Sequence, residues 1–191
     1  RIIIDDIAML DQRGKHMLWA SRLSAKFSYT DLVQGRVTIT SAQIFTPQFD
    51  LYKENSEAKP NFQFVLDSLA SKDKSHKSHL NLAINSLIIR HGQMAWNRLD
   101  KPVLKTFDVS HLKVSNISSH IIFRIVDGGN YNIYLKRLSL HEASGLDIRA
   151  LSFRVEATRQ SASLDNFLLD LPRSEISIPH AETDRKNGER I

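Results

Sequence analysis

Eight His and 21 Asp and Glu residues, with no Cys, are what this 191-residue chain offers for chemistry. Without Cys there is no disulfide, no thiolate metal site and no Cys nucleophile. His76 and His79 stand three apart and on a helix could share a metal, but no third His or acidic residue has fitting spacing nearby. His141-Glu142 lacks the second His of a zinc-protease helix, and His91 beside Gly92 reads as a turn residue. There is no Gly-x-Ser-x-Gly elbow and no phosphate-cradling Gly-rich loop. Asp5 and Asp6 are adjacent, so in a strand they face opposite sides and cannot act as a catalytic pair. Asn116-Ile117-Ser118 matches a glycosylation acceptor but lies in an alternating strand. Trp96, Tyr131, Tyr134 and Phe123 could stack on a sugar, yet Trp96 and Phe123 are in phase with aliphatic residues and read as core or groove. The reading is a protein that is not an enzyme and has no metal or cofactor.

Composition fits a folded, non-fibrous chain. It is 41% hydrophobic and 25% charged, with seven Gly and five Pro, which excludes disordered and collagen-like classes. No apolar run approaches the roughly 18 residues that a spanning helix needs. The net charge is +5, but the bases are dispersed; the densest patch, Lys72, Lys74 and Lys77, is interrupted by Asp73, which argues against nucleic acid as a partner. The chain opens at Arg1-Ile2-Ile3-Ile4 without Met or a leader pattern, so it is expected to be a piece of a longer protein.

The elements that would position any site are strands. Val37-Ile39, Leu80-Leu82-Ile84, Ile121-Phe123-Ile125, Tyr131-Ile133-Leu135 and Leu151-Phe153-Val155 all alternate. Turn signals separate them at Gln12 to Lys15, Gln34-Gly35, His91-Gly92, Asp127 to Asn130 and Ser144-Gly145, the Asp127 tetrad being the strongest hairpin signal. One short helix is expected near 61–70, because Phe62, Val65, Leu66 and Leu69 follow helical spacing and Asn61 could cap it. Ser71 to His79 reads as an exposed polar loop. From Pro179 the chain turns polar without a period, so 1–178 reads as a single β segment and 179–191 as a flexible tail.

A second pattern places apolar residues at relative positions 1, 3, 6 and 8. It occurs at Ile2-Ile4-Ile7-Met9, Val37-Ile39-Ala42-Ile44, Leu82-Ile84-Leu87-Ile89, Ile133-Leu135-Leu138-Leu140 and Leu146-Ile148-Leu151-Phe153. Strict alternation would turn the second half onto the other face, so a bulge or sharp bend must absorb the odd step. About five copies would arise by chance at this composition. The weight therefore falls on the polar middle pairs Thr40-Ser41, Asn85-Ser86 and Lys136-Arg137. Bent strands with one apolar face build a curved sheet. Such a sheet either closes on its own side chains as a sandwich or barrel, or stays open as a trough. A closed surface domain binding glycan or another protein is the alternative of a different class. An outer-membrane barrel is a third reading, and it would need lipid outside and polar residues within.

The string from Pro60 to Asp73, Pro-Asn-Phe-Gln-Phe-Val-Leu-Asp-Ser-Leu-Ala-Ser-Lys-Asp, resembles the helix and loop of TamB-like translocation and assembly module proteins of the Bacteroidetes type. Leu80 to Gly92, Phe107 to Ile117, Leu138 to Leu146 and Phe167 to Pro172 are similar in kind, and the resemblance spans about residues 1–178. It implies the AsmA-like, repeating β-groove group: a mainly β, curved, largely antiparallel sheet of kinked strands forming a taco-like groove. The group's proteins are anchored in the inner membrane and cross the periplasm. They are associated with phospholipid movement to the outer membrane and with outer-membrane protein assembly. The implied partners are phospholipid acyl chains, unfolded outer-membrane proteins and, outside this chain, a BamA- or TamA-type barrel. The anchor and the C-terminal domain of the full pattern are expected to lie outside these residues.

The residues expected to line the groove are the in-phase set Ile39, Ile44, Leu82, Ile84, Leu87, Ile89, Met94, Trp96, Ile121, Phe123, Ile133, Leu135, Leu138, Leu140, Leu151, Phe153 and Val155. Packing of these residues on one another, as an ordinary core, is the competing reading.

Overall fold

The computed structural model describes residues 1–34, 37–70, 82–104, 106–126, 130–158 and 160–184. Alternation dominates the sequence, and the chain is mainly β: ten strands in one curved mixed sheet, with two short helices. The first strands are β1 (Ile2–Leu10) and β2 (His16–Phe27), joined by a turn at Gln12 to Lys15. Then come α1 (Tyr29–Val33), β3 (Val37–Phe45), β4 (Gln48–Lys53) and α2 (Gln63–Ala70). The remaining strands are β5 (Leu82–Arg98), β6 (His111–Val126), β7 (Asn130–Glu142), β8 (Asp147–Ala157), β9 (Ser161–Leu171) and β10 (Ser174–Asp184). Their lateral order is β1-β2-β3-β5-β6-β7-β8-β9-β10, with β4 pairing β2 and β5. Each neighbouring pair from β5 to β10 is antiparallel.

The exception lies at β3, β4 and β5. Val37 pairs Leu82, Ile44 pairs Ile89, Gln48 pairs Gln93 and Lys53 pairs Arg98, all in parallel. The constant offset makes β3 and β4 one long strand, bent at Thr46-Pro47, beside an equally long β5. Parallel neighbours need a crossover, and α2 lies in it, which gives the helix a topological reason to exist. Asn61 does not cap that helix. Its amide oxygen accepts from Tyr52 N–H at 3.1 Å, its backbone N–H donates to the Tyr52 carbonyl and its side-chain NH₂ to the Asp50 carbonyl. It stands in for a strand at the edge of β4, where β2 has already left. The helix α1 was outside the sequence expectation, because five residues are too few to show a period. The Ser28 hydroxyl accepts from Asp31 N–H and caps it.

The odd steps have a backbone cause. Asp6, Thr46, His91, Asn116 and Asn166 take left-handed φ values between 47° and 54°. Thr46 and His91 differ by the β3–β5 offset, so adjacent strands kink in step. The kinks at Asp6 and Thr46 flank Ser21, whose hydroxyl accepts from Thr46 Oγ1 at 2.7 Å and donates to the Phe45 carbonyl. His91-Gly92 is therefore no chain reversal: β5 is held on both sides and runs straight through. Elsewhere the step is taken by register shifts, between Ile84 and Leu87 and between Leu135 and Leu138.

At the C-terminal end the described residues continue as strand. Pro179 lies inside β10, which pairs with β9 as far as Asp184 opposite Ser161, because a strand needs only a ladder and not an apolar period. Ser71 to His79, including His76, His79 and the lysine patch, lies outside the described residues, as do Leu80, Asp127 to Gly129 and 185–191. β6 and β7 do pair antiparallel up to Val126 opposite Asn130.

Candidate functional site: the apolar face of the sheet

Directly opposite residues of neighbouring strands share a face, so the registers assign each candidate residue its neighbours. One row runs Phe27, Ile39, Ile84, Phe123, Ile133, Val155, Leu164. A second runs Ala25, Ala42, Leu87, Ile121, Leu135, Phe153. A third runs Ile4, Leu23, Ile44, Ile89, Ser119, Leu138, Leu151, Leu169, Ile176, crossing the whole sheet with one polar member. Met94 sits between Phe49 and Val114, and Trp96 between Leu51 and Leu112. Leu140 pairs Ile148, and Leu82 opens β5 opposite Val37. All 17 expected residues thus fall in apolar rows.

The kinks keep those rows on one side. At Gly92 an added Cβ would meet Ile117 Cβ and Ile89 Cγ2 at 3.2 Å and Pro47 Cγ at 3.3 Å. Crowding of this kind belongs to the inner side of a crease, so the apolar face is the one toward which the strands bend. Small or compact residues collect there: Pro47 and Ala20 are almost fully buried. Away from the crease the rows are half-buried. Among the described residues only Met17, Ala20, Ala25, Ala42, Val114 and Leu135 are buried hydrophobic side chains, apart from Pro47. The accessible surface is 13446 Å², against roughly 9,300 Å² for a compact monomer of 21.8 kDa. Among the described residues the apolar rows are only partly covered.

One end of it is partly covered. The Phe62 ring lies 6.4 Å from that of Trp96, tilted by 57°, so the crossover leading into α2 passes over the β5 end of the face. Trp96 is thereby engaged with Phe62 rather than standing alone as a sugar platform.

The opposite face is mixed, with Trp19, Phe45, Ile88, Ile122 and Leu168 among polar and charged residues. There Ile88 is followed by His120 and Arg137, and Tyr134 lies between Ile122 and Arg154. Lys136 Nζ and the Arg154 guanidinium approach the Tyr134 ring at 5.9 and 4.9 Å. His120 accepts or donates one bond to Ser86 Oγ at 3.1 Å, and burial with nearby Lys136 pushes its pKa down.

Titratable groups elsewhere serve turns. Asp11 is buried, and its carboxylate accepts from the N–H groups of Arg13 and Lys15 and from Tyr52 Oη at 2.8 Å. Burial pushes its pKa up, but these hydrogen bonds outweigh burial and hold it below the usual carboxylate range. Glu142, also buried, accepts from the N–H and hydroxyl of Ser144 in the β7–β8 turn. Tyr52, Asn61, Arg13, Glu54 and Asp67 border an open polar cavity of about 400 Å³ beside Asp11. Among the described residues no cluster of three or more His, Asp and Glu could hold a metal ion, and no helix is long and apolar enough to cross a membrane.

Sequence reasoning missed part of the apolar face. Leu18, Ala20, Leu23 and Ala25 of β2, Leu112, Val114, Ile117 and Ser119 of β6, and Ala162, Leu164, Phe167 and Leu169 of β9 repeat the same 1, 3, 6, 8 spacing. The spacing that admits Ala42 already covers the β2 and β9 sets, and admitting Ser as a small floor residue would have added that of β6. Against models of protein families, curated proteins and solved structures, the chain gives no match.

Proposed function

We propose that this chain is a non-enzymatic segment of a periplasm-crossing envelope protein whose apolar sheet face carries phospholipid acyl chains toward the outer membrane. In this reading the chain is a piece of a TamB-like protein of the repeating β-groove group. An unfolded outer-membrane protein is a second cargo, and a BamA- or TamA-type barrel is the docking partner of the parent. The observation that carries the reading is the set of apolar rows, which cross up to nine strands and are only partly covered by the chain's own side chains. An apolar face that its own chain leaves unfilled needs an apolar occupant.

Magnitudes favour an acyl chain. A diacyl lipid has roughly 30 methylenes at about 0.8 kcal/mol each, so carrying it bare through water costs on the order of 24 kcal/mol. A floor one side chain deep and many strands wide offsets that cost along the route, whereas a single pocket would offset it at one place. No bond is made or broken in this process, so no catalytic residue is required.

The test is mass spectrometry of organic extracts from the purified chain expressed in a bacterial envelope. The expected result is phospholipid at near-stoichiometric amounts, lost when Leu87 and Leu138 are both replaced by Asp. Lipid-free wild-type protein, or equal lipid in the double variant, contradicts the proposal.

A further inference from the structure

Asp11 and Glu142 are the two buried carboxylates among the described residues. Glu142 serves its own turn, whereas Asp11 also binds Tyr52 and so reaches the segment that covers the Trp96 end of the apolar face. We propose that Phe62, held in place by Asn61, is a stop at that rim: it occupies the face over Trp96, so that acyl chains lie on the rows from Ile84 to Ile89 and are kept off Leu51, Trp96 and Leu112. The inference rests on the acyl-chain reading and names where on the face the cargo ends.

The stop is anchored from the residue before it. β2 pairs with β4 only at Gln48 and Phe49, which leaves the β4 edge open from Asp50 onward. Asn61 fills that edge with three bonds at once. Its amide oxygen accepts from Tyr52 N–H at 3.1 Å, its backbone N–H donates to the Tyr52 carbonyl at 3.0 Å, and its NH₂ donates to the Asp50 carbonyl at 2.9 Å. Tyr52 is held in turn, because its hydroxyl donates to Asp11 at 2.8 Å and Asp11 is fixed by the N–H groups of Arg13 and Lys15 at 2.9 Å each. The Lys15 ammonium lies 5.4 Å from the centre of the Tyr52 ring, and Arg13 pairs with Glu54 alongside. With every polar group of its side chain and its N–H engaged, Asn61 leaves the next residue little freedom. Phe62 therefore meets Trp96 in a defined pose, 6.4 Å between ring centres and tilted by 57°, an arrangement that aromatic pairs favour.

The cover also falls where the face is narrowest. At the level of Trp96 the apolar row is three strands wide, from Leu51 through Trp96 to Leu112, and β7 joins β6 only from Val114 opposite Glu142. The row through Ile89 crosses nine strands. One aromatic ring can close a row of three strands and not one of nine. Phe62 presents to Trp96 the kind of apolar surface that an acyl chain would, so the two compete for one place.

The chain has two indoles, and Trp19 lies on the opposite face, which makes the stop measurable. Trp19→Phe leaves Trp96 as the sole reporter, at the rim; adding Trp96→Phe and Leu87→Trp moves the reporter to the floor. Each chain is loaded with a phosphatidylcholine brominated on one acyl chain, whose bromines quench an indole only near contact. The expected result is strong quenching at position 87 and little at 96. Adding Phe62→Ala, or Asn61→Ala with the ring retained, should raise quenching at 96 severalfold and leave that at 87 unchanged, whereas Phe62→Leu should keep it low. Phe62 and Asn61 are only half-buried, and the urea midpoint of each variant reports its folding. Equal quenching at 87 and 96 with Phe62 in place, or low quenching at 96 in both alanine variants, overturns the stop alone. Absence of quenching at 87 overturns the acyl-chain reading and the stop with it.

Discussion

Asp11 shows how a single side chain secures an edge of this sheet. It was not among the residues the sequence singled out, because the four residues from Gln12 to Lys15 already explained the turn by themselves. The structure adds the 2.8 Å bond from Tyr52, which ties the β1–β2 turn to β4, 41 residues away. Replacing Asp11 by Ala leaves three partly buried donors without their acceptor and should cost about 1 kcal/mol, read as a lower urea midpoint with an unchanged slope. Since its folded pKa lies below the ordinary value, the Asp11 contribution is present above about pH 4 and is lost as pH falls through the folded pKa. His180 and Asp165 give the opposite limb. Its hydrogen bond to the Asp165 carboxylate raises the His180 pKa, and the same bond lowers that of Asp165. Neighbouring Glu182 adds to the first effect, and Arg154 to the second. The His180 contribution is full below about pH 6.5 and lost as pH rises through its raised folded value. Protection of β10 amides against hydrogen exchange, corrected for intrinsic rates, should therefore peak between about pH 4 and 6.5 and flatten in His180→Ala.

At the scale of elements, the kink is the unit that matters. Alternating runs such as Ile121-Phe123 and Leu151-Phe153-Val155 made strands legible, and the 1, 3, 6, 8 spacing made their bends legible. What that spacing could not reveal is the device. Some bends carry left-handed residues and others only register shifts, and at Asn116 and Asn166 the two coincide. Nor could local pattern reveal that β3 and β4 form one bent strand parallel to β5, since the offset between them exists only in three dimensions. Asn116 offers a clean test of the left-handed device: it is exposed and has a φ of 53°. Asn116→Gly should change stability by no more than about 0.5 kcal/mol, whereas Asn116→Val should cost about 1–3 kcal/mol by denaturant unfolding. Gly92 fails differently. A methyl group there forces Ile117, Ile89 and Pro47 apart by a few tenths of an ångström, so Gly92→Ala should lower the midpoint and loosen the crease.

Across the whole molecule, the defining property is an apolar face that the chain does not fill. The sequence supplied the 17 floor residues but left open whether they packed against one another. Face-to-face closure would have hidden most of them, and instead Leu135 alone is buried among those of the 17 whose side chains are described. The central claim, that acyl chains lie on the apolar face, is tested most directly by photo-cross-linking at two adjacent residues of β5. A benzophenone side chain replaces either Leu87, in the apolar rows, or Ile88, on the opposite face, and the purified chain is illuminated with diacyl phospholipid. The account requires lipid adducts at position 87 and few at 88; equal labelling at the two positions, or none at 87, would contradict it.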